Sequence, residues 1–336
     1  MQNYLDKFKG TLMGMAIGNT LGSPFKGKLR EEILLKFKDF NDFLSKNRNL
    51  FKTYTDDTQL TLHLTEALIQ GNGFRIDNTI KEFILWLYDP PISPSYERLT
   101  TIRKLERGIE YRNASTKSKG NGSISRVAPI GLFYSNNIEL LKKTAELSSM
   151  ITHSDPTAIA GSILIARAIS YLIKLQDNNI FPINDFFNIL IPSISNIDEN
   201  TQGEYIGALE KLRENLDLSA NAGLIKFSQI GVKSPFFIEE YLGKAFIHPY
   251  SVSTIICVIF IFLNNLDSFE QSIISFITAG GDTDTVGTIG GGLAGAYFGY
   301  KNISTDLIKL VKNRKYILDL SERFYKTYLS QFRKLI

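Results

Sequence analysis

Apolar residues recur at three- and four-residue spacing through most of the chain, which predicts helices rather than alternating strands. Leu140, Leu141, Ala145 and Leu147 follow that spacing, and so does the run from Ala158 to Ile173. Within that run, Ala158-Ile159-Ala160-Gly161-Ser162-Ile163-Leu164-Ile165-Ala166 is small and apolar on nearly every side, so it predicts a central, closely packed helix. Ser251 to Leu263 is as apolar. Its β-branched residues also permit a strand, and the helix is the preferred reading. Gly10, Gly14 and Gly18 recur every four residues, which puts them on one helical face that a second helix can approach closely. Connections such as Gln176 to Asn179 and Ser195 to Asn200 are rich in Asn, Asp and Ser, and Tyr111 to Asn121 is the most loop-like stretch. No long linker and no repeat period interrupt this pattern. The expectation is one compact all-α helical bundle, a single domain over residues 1–336.

Composition adds little that would change this picture. The hydrophobic share of 43% and the charged share of 21% are ordinary for a globular protein, and a net charge of +4 is mild. Residues 301–336 hold nine Lys/Arg against three Asp/Glu, interleaved with Ile308, Val311, Ile317, Leu320 and Phe324. Amphipathic basic surface helices explain this better than a nucleic-acid patch, so no nucleic-acid partner is expected. Cys257 is the only cysteine and lies in an apolar run, which leaves no intramolecular disulfide and no Cys-based metal site. Met1 to Gly10 is polar and mixed in charge, unlike a secretory signal. The longest apolar run is too short to span a bilayer. A cytoplasmic protein without a membrane partner is the expectation.

Two acidic clusters carry the chemistry. Thr55-Asp56-Asp57-Thr58 leads into an apolar run from Leu60 to Ile69. Gly280-Gly281-Asp282-Thr283-Asp284-Thr285 leads into Val286, Ile289 and Gly290-Gly291-Gly292. Either cluster alone reads as a helix cap, because Thr and Asp are favoured there and carboxylates suit a helix N-terminus. Their repetition asks for more. No Lys or Arg lies between Ile273 and Tyr300 to balance Asp282 and Asp284 locally. If the fold joins the clusters, four carboxylates repel one another unless a cation neutralises them. Oxygen-only ligands suit hard divalent ions such as Mg²⁺, Mn²⁺ or Ca²⁺.

Gly120-Asn121-Gly122-Ser123-Ile124-Ser125-Arg126 permits close backbone approach, and its N–H groups beside an Arg suit a diphosphate cradle. A plain turn into a helix is the simpler account of that segment alone. Thr152-His153-Ser154-Asp155-Pro156 precedes the small-residue helix, with Thr or Ser suited to cap it and Pro156 to its first turn. There His153 either hydrogen-bonds a ligand or fixes the turn. His63 falls in the helix after the first acidic cluster and His248 in a loop-like stretch, neither in a metal-ligand pattern.

In chain order, from the Gly10-Gly14-Gly18 helix to the Gly280–Thr285 cluster, these segments resemble the ADP-ribosylglycohydrolase family, which includes hydrolases that remove ADP-ribose from arginine or serine. The resemblance is strongest over residues 5–300. It implies the family's compact all-α fold and a two-metal cleft, with two Mg²⁺ expected and Mn²⁺ as the alternative. By motif match the metal ligands are Thr55, Asp56 and Asp57 on one side and Asp282, Asp284 and Thr285 on the other. Gly120, Asn121, Gly122, Ser123, Arg126 and His153 are the implied substrate-binding residues, with the Gly120-Asn121-Gly122 loop at the diphosphate and His153 lining the cleft. Asp56, Asp57 and Asp284 are the implied catalytic carboxylates. The implied reaction is metal-dependent cleavage of an N- or O-glycosidic bond at C1 of the distal ribose, on an ADP-ribosylated protein or small molecule, by a monomer. Two departures stand out. Asn19 replaces an Asp common in the family, and Lys26 stands where many members carry an acid, with Glu31 and Glu32 nearby as substitutes. The family's aromatic before Gly-Asn-Gly is Lys119 here, so no adenine-stacking residue is assigned. These departures motivate a second reading, a binding protein that keeps the ADP-ribose cleft without turnover.

Overall fold

The computed structural model describes residues 4–36, 39–175 and 180–333. The expected connection Gln176 to Asn179 and the first three and last three positions lie outside the described residues. Eighteen α-helices follow one another with only isolated bridges between loops, and no strand forms among the described residues. Seven helices build or back the site: α1 (Tyr4–Gly22), α2 (Asp56–Gly71), α3 (Tyr96–Glu106), α4 (Pro156–Leu172), α5 (Ser251–Leu263), α6 (Thr283–Phe298) and α7 (Arg314–Arg333).

The centre is a glycine seam between α1 and α6. A Cβ placed on Gly18 would land against the Gly287 carbonyl, one on Gly14 against Gly291, and one on Gly10 against Gly295. The pairing runs in opposite directions along the two helices, so they are antiparallel. The expected glycine face is therefore real, and its partner is the helix that follows the second acidic cluster. This register brings the C-terminal end of α1 to the N-terminal end of α6, which is where the second pair of carboxylates lies.

The remaining core wraps that pair. Every residue of α5 is buried, as its all-round apolar sequence requires, and its 13 residues form a helix rather than a strand. The α4 helix is likewise buried over most of its length. Its cap is Asp155, whose side chain accepts from the Thr157 N–H, not the Thr or Ser expected. The basic C-terminal region folds as the anticipated helix pair, Thr305–Leu310 and α7. Yet α7 is more than a surface helix: Phe324 and Tyr328 pack within 5.3 Å of the Phe8 ring in α1. No helix among the described residues is long and apolar enough to cross a membrane.

Candidate active site

The chain places Thr55 at the N-cap of α2 and Asp282 at the N-cap of α6, and neither uses its side chain to cap. Pure capping therefore does not account for the two clusters. Asn19 at the end of α1 does part of that work instead. Its Oδ1 accepts from the Thr55 N–H at 2.6 Å and the Thr58 hydroxyl at 3.0 Å, while its Nδ2 donates to Thr55 Oγ1 at 2.9 Å. The Asp282 backbone is held from outside its helix, donating to Ile247 O at 2.9 Å. Gly280 and Gly281 make the approach, at φ +87 and +81. A Cβ on Gly281 would strike the Ile247 backbone.

The two clusters do meet. Thr285 Oγ1 donates to Asp57 Oδ2 at 3.0 Å, linking α6 to α2 directly. All four carboxylates are buried. Their close neighbours are two cations of the chain itself. Lys26 Nζ lies 2.8 Å from Asp282 Oδ1 and 2.9 Å from Asp284 Oδ1. Arg98, from the first turn of α3, places Nε 2.9 Å from Asp56 Oδ2 and Nη1 2.5 Å from Asp57 Oδ1. Neutral donors complete the shell: Ser125 Oγ to Asp57 Oδ1 at 2.7 Å, Asn121 Nδ2 to Asp282 Oδ2 at 2.8 Å and Ser95 N to Asp56 Oδ2 at 3.2 Å.

The electrostatics follow from one cation serving two carboxylates. Burial raises Asp284, and the neighbouring Asp282 charge raises it further, so it sits well above the usual carboxylate range. Burial works the same way on Asp282, but Lys26 and the Asn121 amide outweigh it and hold that group at about 2. On the other side burial opposes Asp57, and Arg98 with Lys26 pulls it below its usual value. Asp56 is lifted by burial and by Asp57 against the pull of Arg98. Lys26 and Arg98 are both held firmly charged, because the facing carboxylates outweigh their own burial.

A cavity of about 290 Å³ opens over this cluster. Lys26, Arg98, Asp282, Thr285, His153 and Gly122 line it, together with Glu97 and Phe236. Asp56, Asp57 and Asp284 do not: three of the expected metal ligands, which are also the expected catalytic carboxylates, lie behind the two cations. Thr55 also turns inward, its hydroxyl engaged by Asn19. A divalent ion needs carboxylate oxygens at roughly 2.0–2.6 Å. Those oxygens already receive N–H donors, and among the described residues no three His, Cys, Asp or Glu side chains are grouped to hold a metal ion. With Lys26 and Arg98 in place, the donor set does not fit the expected pair of ions.

Two substrate-binding expectations need correction. Arg126 is fully buried, its Nη2 donating to Ser148 O at 3.1 Å and Thr152 Oγ1 at 2.7 Å, with the Phe83 ring 4.8 Å away. It braces the loop from beneath and cannot meet a ligand. Ser123 is buried between Ser149 and Ser162. The Gly120 and Asn121 N–H groups are also engaged, by Ser118 Oγ at 3.1 Å and Pro249 O at 3.2 Å. The loop therefore positions Asp282 through Asn121 rather than offering free N–H groups at those two residues. Gly122 is where space matters, since a Cβ there would lie 2.9 Å from the His153 ring. His153 faces the cavity and is kept neutral by burial and by Arg126 and Arg98. Glu31 and Glu32 are exposed, and Glu32 accepts from the Leu29 N–H at 2.7 Å, so neither supplies a missing acid.

Sequence reading missed Arg98, Ser125, Glu97 and Phe236. Arg98 and Phe236 lie in stretches that carry no motif in the sequence. A lone Arg at the start of a polar helix carries no signal of its own. A second cavity, about 400 Å³, adjoins the first and is lined by Lys117, Lys119, Lys233, Phe236 and Tyr250. Glu97, Ser118 and Phe236 border both cavities.

The model of the ADP-ribosylglycohydrolase family matches residues 1–333. This chain belongs to that family. An uncharacterized protein of Archaeoglobus fulgidus is 26% identical over 96% of this chain and 97% of its own length. The ADP-ribosylhydrolase ARH3 of Xenopus tropicalis is 25% identical over 96% of each chain. The ADP-ribosylarginine hydrolase Tri1 of Serratia proteamaculans is 24% identical over 96% of this chain and 79% of its own. A solved structure described as an ADP-ribosylglycohydrolase-related protein complex superposes with a TM-score of 0.66 at 22% identity, covering 98% of this chain and 100% of the other, and so shares the fold. In this chain the fold places the two acidic helix starts at one cavity, with Lys26 and Arg98 against their carboxylates.

Proposed function

We propose that this protein is a hydrolase that cleaves the glycosidic bond at C1 of the distal ribose in an ADP-ribose conjugate. The observation that carries the reading is the pair of adjoining cavities, one over the carboxylates and one lined by lysines and rings. In this reading, Lys117, Lys119 and Lys233 attract the diphosphate. Phe236, half-buried against the fully buried Tyr250 ring, offers a face for the adenine and is the stacking residue the sequence left unassigned. The distal ribose reaches the first cavity, against Asp282, Thr285 and neutral His153. Positive charge developing at C1 is stabilised by the ionised Asp282 carboxylate. The Glu97 carboxylate has no ion-pair or hydrogen-bond partner among the described residues and borders the cavity, so it activates the attacking water. The substrate is an ADP-ribosylated protein or small molecule, and a monomer in the cytoplasm suffices because one chain completes the cleft. No step of this mechanism is routed through a divalent ion.

Retired catalysis is the second reading, favoured by the cover that Lys26 and Arg98 place over three carboxylates. Release of free ADP-ribose from arginine- and serine-linked substrates separates the two. The wild type should release it. Glu97→Gln should lose about 10²–10⁴-fold in kcat. Phe236→Ala should weaken KM by about tenfold, in line with about 1–3 kcal/mol per stacked base. No release, with ADP-ribose still bound by calorimetry, would make the protein a reader. No binding either would overturn the ligand class.

A further inference from the structure

We infer that Lys26 and Arg98 hold this site together in place of divalent ions, so that the wild-type cleft binds no metal, and that removing the Lys26 charge creates a metal site. Each cation spans the two carboxylates of one cluster, as a bridging ion would. Lys26 Nζ reaches Asp282 Oδ1 at 2.8 Å and both oxygens of Asp284 at 2.9 and 3.0 Å. Arg98 reaches Asp56 at 2.9 Å and Asp57 at 2.5 Å through two different nitrogens of its fork. Asn121 takes Asp282 Oδ2 and Thr285 takes Asp57 Oδ2, while Ser125 and Ser95 share the two oxygens that Arg98 holds.

The two cations are not equivalent. The Arg98 side chain is only 4% exposed, and its Nε also donates to Ser95 Oγ at 3.0 Å, so it cannot leave without opening the start of α3. The Lys26 side chain is 49% exposed, and its ammonium reaches Asp282 and Asp284. A divalent ion at Asp282 and Asp284 would sit at the position of that ammonium, because both need the same oxygens. Neutralising Lys26 therefore leaves two buried carboxylates facing the cavity with no cation, alongside Thr285 and open space for water. That is an oxygen-only set of the kind hard ions take, and such ions keep several waters.

The inference concerns what neutralises the carboxylates, and its test needs no substrate, so it stands or falls separately from the proposed reaction. The melting temperature of the full chain is measured in EDTA and in rising Mn²⁺ and Mg²⁺, with Mn²⁺ binding followed by calorimetry. Wild type should melt at the same temperature in EDTA and in 1 mM of either ion. Lys26→Ala and Lys26→Glu should each melt lower in EDTA and recover saturably with Mn²⁺, by about 2 °C or more for an ion bound at a hundred times its Kd. The Glu variant should show the larger response, because it adds a carboxylate where a cation was lost. Lys26→Gln serves as the substitute should either variant fail to fold. Stoichiometric Mn²⁺ binding by wild type, or a wild-type melting temperature lowered by EDTA, would overturn the inference. Absence of any metal response in all Lys26 variants would overturn it as well, since Lys26 would then not occupy an ion's place.

Discussion

Asn19→Ala tests whether the first departure from the family pattern is a structural clamp. The Asn19 amide is fully buried where α1, α2 and α6 converge. Its Oδ1 takes the Thr55 N–H at 2.6 Å, one of the donors a helix start leaves without an intrahelical partner. It also takes the Thr58 hydroxyl at 3.0 Å, and Nδ2 reaches the Asp284 carbonyl at 3.4 Å. Removing the amide strands the Thr55 N–H in a site closed to water, at about 1–3 kcal/mol for a buried donor left unpaired. The Thr58 hydroxyl loses its acceptor too, though it can rotate and regain part of that loss. The sum is about 2–4 kcal/mol, a large part of the roughly 5–15 kcal/mol that holds a typical protein folded. Urea unfolding should show a lowered midpoint at unchanged slope. Asn19→Asp is the informative partner. It keeps the acceptor but turns the amide donor into a carboxylate oxygen facing the Asp284 carbonyl, beside four other carboxylates. Burial and those neighbours must raise the pKa of the introduced group above its unfolded value of about 3.9. Its penalty should then grow as pH rises through the folded value and shrink as pH falls towards 4. A loss under 1 kcal/mol for Asn19→Ala, or an Asn19→Asp protein as stable as wild type at pH 7, would refute the clamp.

Other outcomes follow from the same geometry. Gly18→Ala drives a Cβ into the Gly287 backbone, which cannot rotate away, so it should cost about 1–3 kcal/mol or more by overpacking, measured by urea midpoint. Gly207→Ala, exposed in the helix Glu199–Arg213 with nothing within 4 Å, should instead stabilise by about 0.4–1 kcal/mol. Burial raises the Glu82 carboxyl, but hydrogen bonds from His63 and Gln70 outweigh it and leave it below 4.5. A depressed carboxylate contributes stability above its unfolded pKa and loses it as pH falls through the folded one. Glu82→Gln should therefore flatten the acid limb of the stability profile below about pH 4.5, and an unchanged limb would exclude that role.

The fold was legible where the sequence carried a period. Thirteen consecutive apolar or small residues in α5 leave no polar face for solvent, and the chain buries them all as a helix. The four-residue glycine recurrence announced a close helix contact, and the glycines after Asp284 were the natural counterpart, though only the structure pairs Gly18 with Gly287. Both acidic clusters read correctly as helix starts. Arg126 did not read correctly, because a sequence shows an Arg beside a flexible loop but not the Phe83 ring and Thr152 hydroxyl that draw it inward.

The site itself was half legible, for a reason of charge. Four buried carboxylates are visible in the sequence, and physical chemistry correctly demands compensating positive charge for them. What it does not specify is the source. A metal ion and a protein cation answer the same demand, and only proximity distinguishes them. Lys26 read as a lost acid because it was compared with what other chains place there. Its position between Asp282 and Asp284 makes it a supplied cation. Arg98 went unnoticed because it comes from a third helix, 41 positions from Asp57 in sequence, and its length carries it to both carboxylates of the first cluster. The two cations make electrostatic sense only together. A lysine at 26 with an open Asp56–Asp57 pair would leave that half of the cluster unneutralised, and Arg98 alone would do the same to Asp282 and Asp284. With both in place, side chains of the chain itself hold the two helix starts, the Asn121 contact and the cavity together.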